Sequence, residues 1–241
     1  MIEFRQILCP TDMSDSSARA LTYAAAVARW YEATLTVLSV VPTFDPIPVR
    51  PGMLDGSVQV VYPASREEVL EELRTAVRNA GAESLNPTLA AEAGDPVNTI
   101  VDRALAIPAD LIVMGTHGRS GFERLILGSV TEKVLRNAPC PVLTVPPHMP
   151  ATAPAEVLFK KILCPIDFSP ESLQAVGFAL DLARQSDGTV KLLHAIEWLA
   201  DQEPRAYAHF NVPEYRQHLI HDARERLHAV VADEPQTYCT I

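Results

Sequence analysis

Apolar residues along this chain fall into short, nearly unbroken runs, separated by longer stretches in which they recur every three or four positions. The runs "QILCP" (6–10), "TLTVLSVV" (34–41), a segment near 87–93, "DLIVMG" (110–115) and "PVLTV" (141–145) are too short for helices. They are also too continuously apolar for strands with one face in water, so they predict buried β-strands. Amphipathic spacing predicts helices over roughly 16–31, across "SREEVLEELRTAVRNAG" (65–81), over about 97–107 and over about 129–137. A Pro-rich loop occupies 42–63. Strands alternating with helices indicate an α/β fold with a parallel sheet covered on both faces.

The opening pattern is used twice. Phe4, Ile7, Leu8, Cys9, Pro10, Asp12, Ser14, Ser17, Ala20, Ala24, Ala28, Arg29, Thr34 and Leu38 each recur 155 positions later without a gap, from Phe159 to Leu193. Such self-similarity marks one structural unit repeated. The expected organisation is a complete domain over 1–147, a Pro/Ala-rich linker over 148–158 and a partial second copy over 159–241. At the same offset Gly115 would recur near position 270, whereas the sequence stops at Ile241, inside the expected third strand of copy two. The second copy is therefore expected to lack its last two strands. The open sheet edge implies a fragment, or cover supplied by another chain.

A length of 241 residues with 48% apolar and 21% charged residues suits two globular units with real cores. The formal net charge of -10 argues against nucleic acid and anionic membrane surfaces as partners. The start "MIEFRQILCP" does not read as a signal peptide, and no run approaches a membrane span, so a cytoplasmic location is expected. Cys9, Cys140, Cys164 and Cys239 form no C-x-x-C pair and are expected to be reduced and mostly packed. His209, His218, His221 and His228 lie in or near a charged helix without H-E-x-x-H and read as a solvated face.

The candidate chemistry lies in "VMGTHGRSGFERLILGSVTEKV" (113–134). Gly115 and Gly118 follow a strand, where bare backbone can turn several N–H groups inward as an anion nest. Gly128 and Ser129 then open a helix whose N-terminal amides and dipole favour a phosphate. Residues 115–136 carry four cations (Arg119, Arg124, Lys133, Arg136) against Glu123 and Glu132, a local +2 within an acidic chain. The competing structural explanation is a tight turn at the glycines and a Ser129/Glu132 capping box.

If the sheet order is 3-2-1-4-5, Asp12 and Gly115 end neighbouring strands and flank the topological switch point where such sheets bind ligands. Asp12 could then meet ribose hydroxyls or a Mg²⁺-bound water, or simply cap the following helix. The main chain of Val40, ending strand two, is placed to read an adenine edge, unless Val40 is only core. Walker A, G-x-G-x-x-G after strand one, and G-x-S-x-G patterns are all missing.

The segments "ILCPTDMSDSSARAL" and "LIVMGTHGRSGFERLILGSVTEKVLRNAPCPVLTV", with the duplicated start, resemble the universal stress protein family in its tandem two-domain form. Its signature G-x2-G-x9-G-[ST] is met by Gly115, Gly118, Gly128 and Ser129. The resemblance implies a doubly wound, five-stranded, adenine nucleotide alpha hydrolase-like fold of order 3-2-1-4-5 that binds ATP with Mg²⁺. Positions matching Pro10, Thr11 and Asp12 then lie by the nucleotide, and the position matching Val40 contacts adenine. Those matching Met114, Gly115, His117 and Gly118, with Arg119 beside them, line ribose and phosphate, and those matching Gly128, Ser129 and Val130 hold phosphates.

The leading expectation is a regulatory stress-response module with an unidentified protein partner and a homodimer through the last strand of domain one; because the segment offers phosphate donors but no evident base for an attacking water, slow or no hydrolysis is expected. Copy two, without a phosphate segment, is expected not to bind ATP. The alternatives are a non-nucleotide interaction protein of the same fold, or an enzyme such as a nucleotidyl transferase.

Overall fold

The computed structural model describes residues 2–41, 65–116, 127–150, 159–196, 212–232 and 239–240. The chain divides into two compact units, residues 3–157 and residues 158–241 together with the first two residues.

In unit one, β1 (Gln6–Thr11), β2 (Thr34–Val41), β3 (Thr88–Ala93), β4 (Leu111–Gly115) and β5 (Val142–Val145) form a parallel sheet of order β3-β2-β1-β4-β5. The helices are α1 (Asp15–Tyr31), α2 (Arg66–Asn79), α3 (Pro96–Ala106) and α4 (Ser129–Asn137). The elements follow the apolar pattern to within a residue or two. The short 3-10 turn Glu83–Leu85, which follows a left-handed Gly81 (φ 62°), had no periodic signal. The Pro-rich stretch lies outside the described residues.

Local chemistry sets the helix boundaries. Ser14 caps α1 by accepting from the Ser17 amide, and Glu32 in the left-handed region (φ 53°) ends it. Ser65 and Glu68 form a reciprocal capping box on α2, at 3.2 and 2.7 Å. Asp95 caps α3, with Pro96 in the first turn where its missing N–H costs nothing. Asp110, just before β4, accepts from the Arg5 and Gln6 amides at 2.8 and 2.9 Å, so the starts of the two central strands are tied together.

Strand alternation then divides the core. Leu8, Leu38, Ala90, Ile112 and Met114 pack with Ile100 and Ala104 of α3 and Val134 of α4. Ile7, Cys9, Leu35 and Val37, all fully buried, point to the opposite face. There α1 lies close because its buried stripe is largely alanine: Ala20, Ala24, Ala25 and Ala28. Central strands β1 and β4 therefore send their following helices to opposite faces, which opens a crevice at their C-terminal ends.

Unit two contains β6 (Lys161–Pro165), α5 (Pro170–Ser186), β7 (Thr189–Leu193), α6 (Val212–Val230) and β8 (Cys239–Thr240), with parallel strands in the order β6-β7-β8. This is the β1-β2-β3 half of unit one over again. The repeat extends to the backbone: Met13 (φ 63°) and Phe168 (φ 66°), like Glu32 (φ 53°) and Asp187 (φ 48°), are left-handed non-glycine residues at equivalent positions. Cys164, Ile166, Val176, Leu180, Val190 and Leu192 form its core, joined by Leu227 of α6.

Candidate functional site

The crevice at the C-terminal ends of β1, β2 and β4 is a cleft of about 620 Å³, within the range usual for small-molecule sites. Of the sequence-derived candidates, Pro10, Thr11, Asp12, Val40, Met114, Gly115, Gly128, Ser129 and Val130 all line it. His117, Gly118 and Arg119 lie outside the described residues.

Asp12 sits in an Asx turn, with Oδ1 accepting from the Ser14 amide at 3.1 Å and from Ser14 Oγ at 2.6 Å. It does not cap α1 itself; it holds Ser14, which does. Thr11 Oγ1 accepts from the Met13 amide at 3.2 Å, stabilising the left-handed turn that exposes Asp12 at the strand end.

The two ladders determine the direction of the Val40 main chain. The Thr34 amide donates to Arg5 O, so even-numbered residues of β2 turn their peptide groups toward β1, and Val41 O accepts from Gly94 on the β3 side. Val40 O therefore points past the end of β1. The donor that would continue the ladder there is the Met13 amide, which turns back to Thr11 Oγ1 instead. An acceptor is thus left facing the cleft.

Gly115 has a role in the fold itself. It closes β4, and a Cβ built on it would lie 2.5 Å from Ser16 Oγ and 3.0 Å from the Ser16 carbonyl group. Its carbonyl accepts from Thr131 Oγ1 at 2.9 Å, tying strand to helix. The Gly128 amide donates to Thr116 O at 2.7 Å, which brings together the two ends of the segment between them and commits that donor to protein.

The α4 N-terminus differs from those of α1, α2, α3 and α5. Side chains of Ser14, Ser65, Asp95 and Ser169 cap α1, α2, α3 and α5, whereas the N-cap of α4 is Gly128, which has no side chain. Ser129 is the first helical residue, so the Ser129/Glu132 capping box of the sequence pattern does not form. The amides of Ser129, Val130 and Thr131 have no acceptor in the helix.

Sequence reasoning missed Glu72, Ile100 and Thr131, which also line the cleft. Thr131 was legible as the third residue of the "GSVT" helix start, while Glu72 and Ile100 reach the cleft only through packing. Among the described residues no group of three His, Cys, Asp or Glu side chains is placed to hold a metal. His218, His221 and His228 are exposed on α6. Cys9, Cys140 and Cys164 are free thiols, and burial pushes Cys9 up to about 12. No helix among the described residues is long and apolar enough to cross a membrane.

The universal stress protein family model matches residues 3–146 and again 158–238. A universal stress protein of Methanocaldococcus jannaschii is 37% identical over 142 residues, which cover 59% of this chain and 82% of that protein. A putative universal stress protein of Staphylococcus epidermidis is 34% identical over 149 residues, 60% of this chain and 86% of its own length. The crystal structure of a universal stress protein from Archaeoglobus fulgidus superposes with a TM-score of 0.53 at 21% identity, covering 85% of this chain and 73% of that one, a likeness of fold. With the family model matching both halves of the chain, over residues 3–146 and 158–238, the chain belongs to the universal stress protein family.

Proposed function

We propose that unit one binds an adenine nucleotide, ATP accompanied by Mg²⁺, and acts as a regulatory module rather than as a fast enzyme. The uncapped start of α4 carries the proposal: three amides at the positive end of a helix open on a cleft whose other walls hold an aspartate and an outward-facing carbonyl. The triphosphate would lie on Ser129, Val130 and Thr131, the ribose near Asp12, and the adenine N6 amine at Val40 O between apolar walls formed by Pro10, Met114 and Ile100. Gly128 would shape that approach without donating, because its amide is taken by Thr116.

The donor set fits the nucleotide, and a magnesium ion carried by it needs one or two protein carboxylates at most. Asp12 would hold that ion through a water molecule. The ion would neutralise phosphate charge. Asp12 and Glu72 are the acidic side chains lining the cleft, and Asp12 Oδ1 is occupied by Ser14, which favours slow or no hydrolysis. The edge position of β5 suits a homodimer through that strand.

The test is calorimetric titration of the full chain with ATP and Mg²⁺, repeated on Gly128→Asp. Submillimolar affinity in the parent and its loss in the variant are expected. Equal affinity in both would show that the nucleotide sits elsewhere, and no affinity in either would end the proposal.

A further inference from the structure

The α2 helix carries four glutamates, and three of them serve the helix itself. Glu67 lies exposed in the first turn, where it favours the dipole. Glu68 completes the capping box on the Ser65 amide, and Glu71 pairs with Arg74 at 2.8 Å and lies 3.8 Å from Arg78. Among the described residues Glu72 has no ion-pair partner; it lines the cleft instead. Val69, three residues earlier and buried, lines the same cleft, so the stripe that seats α2 on the sheet carries Glu72 to the cleft rim.

A neighbouring cavity shows which part of the rim this is. About 1000 Å³ in volume, it is lined by α1 and α2 and shares Thr11, Met13 and Glu72 with the cleft. Thr11 and Met13 flank Asp12 in the chain, and all three line the cleft, so Glu72 stands on the Asp12 side. Arg19, which lines the neighbouring cavity, donates to Asp15 O at 3.4 Å and not to Glu72.

On the nucleotide reading of the cleft, on which this inference rests, two carboxylates must find donors. An ionised carboxylate only accepts. The phosphates and the ring nitrogens of adenine also only accept, and the N6 amine would go to Val40 O. The two ribose hydroxyls are the donors that remain. Asp12, which already accepts twice from Ser14 at Oδ1, is suited to one of them. We infer that Glu72 takes the other, as a specificity-determining residue that makes the site select ATP over its deoxy forms. A ribose that has lost a hydroxyl would leave one carboxylate facing the cleft without its donor.

The experiment titrates the full chain with ATP, 2′-deoxy-ATP and 3′-deoxy-ATP in the presence of Mg²⁺, for the parent, Glu72→Ala and Glu71→Ala. Each deoxy nucleotide should bind the parent about tenfold or more weakly than ATP, the worth of a hydrogen bond to a charged group. Glu72→Ala should bring one of these two ratios within about threefold, and Glu71→Ala should leave both as in the parent. Ratios are read because removing a carboxylate also changes the attraction for phosphate, which all three nucleotides share. Both side chains are exposed, so circular dichroism of the variants should match the parent. Ratios near one in the parent, or unchanged in Glu72→Ala, would overturn the inference while the nucleotide site stood. So would a loss equal for all three nucleotides that vanishes without Mg²⁺, since Glu72 would then hold the ion. No affinity for ATP in any of the proteins would end the inference together with the nucleotide reading.

Discussion

Ser16, in the first turn of α1, lies against Gly115 at the end of β4 so closely that a methyl group on the glycine would stand 2.5 Å from the serine hydroxyl oxygen. Both residues are buried. The first glycine of the motif is therefore required where helix α1 crosses the strand, before any ligand is considered. Gly115→Ala should destabilise unit one by about 1–3 kcal/mol through overpacking. Ser16→Gly should relieve only part of this, because the Ser16 backbone lies 3.0 Å from the same point. Urea denaturation checks both, and an unchanged midpoint would contradict the packing.

Ser129→Pro separates the α4 amides from the helix they begin. Proline is well tolerated at the first helical position, so stability should hold while one phosphate donor is removed. ATP affinity should fall roughly ten- to a hundredfold, the worth of one hydrogen bond to a charged group. Ser129→Ala, which keeps the amide, should lose less. A proline variant that binds like the parent would place the phosphates off α4.

The outward Val40 carbonyl predicts base choice. It can accept from the adenine amine but would oppose the guanine carbonyl oxygen, so ATP should bind at least about tenfold more tightly than GTP. Competition titration reads this directly, and equal affinities would remove Val40 O from the site.

Cys9 is fully buried, and burial lifts its thiol to about 12, so it holds no appreciable thiolate at neutral pH. It should resist iodoacetamide in the native protein and react at the rate of unfolding. Alkylation followed by peptide mass analysis makes the test. Prompt modification would reopen a redox role for this position.

In unit two, Ser169 donates from its hydroxyl and its amide to Asp167 Oδ1, at 2.6 and 2.9 Å, and these bonds lower the carboxyl to about 2. A carboxylate depressed on folding stabilises fully above its unfolded value, about 3.9, and loses that contribution as pH falls toward about 2. Ser169→Ala should raise the Asp167 midpoint toward the ordinary range and remove the acid sensitivity of this turn. Carbon-13 titration of the carboxyl group follows it.

The sequence alone determined the strands and helices, the doubling of the unit and nine of the residues that line the candidate cleft, because burial on both faces makes continuous apolar runs and an Asp-x-Ser turn or a glycine leaves a local mark. Local signals could not decide how each group is used. Whether Ser129 begins α4 or caps it, whether the Gly115 position serves a ligand or Ser16, and which way the Val40 carbonyl points depend on partners far along the chain: Thr116 for the Gly128 amide, α1 for Gly115, and the end of β1 for Val40. Glu72 and Ile100 reach the cleft for the same reason. Hydrogen-bond direction and close packing are settled between elements, so only the tertiary structure divided residues that build the cleft from those whose polar groups open into it.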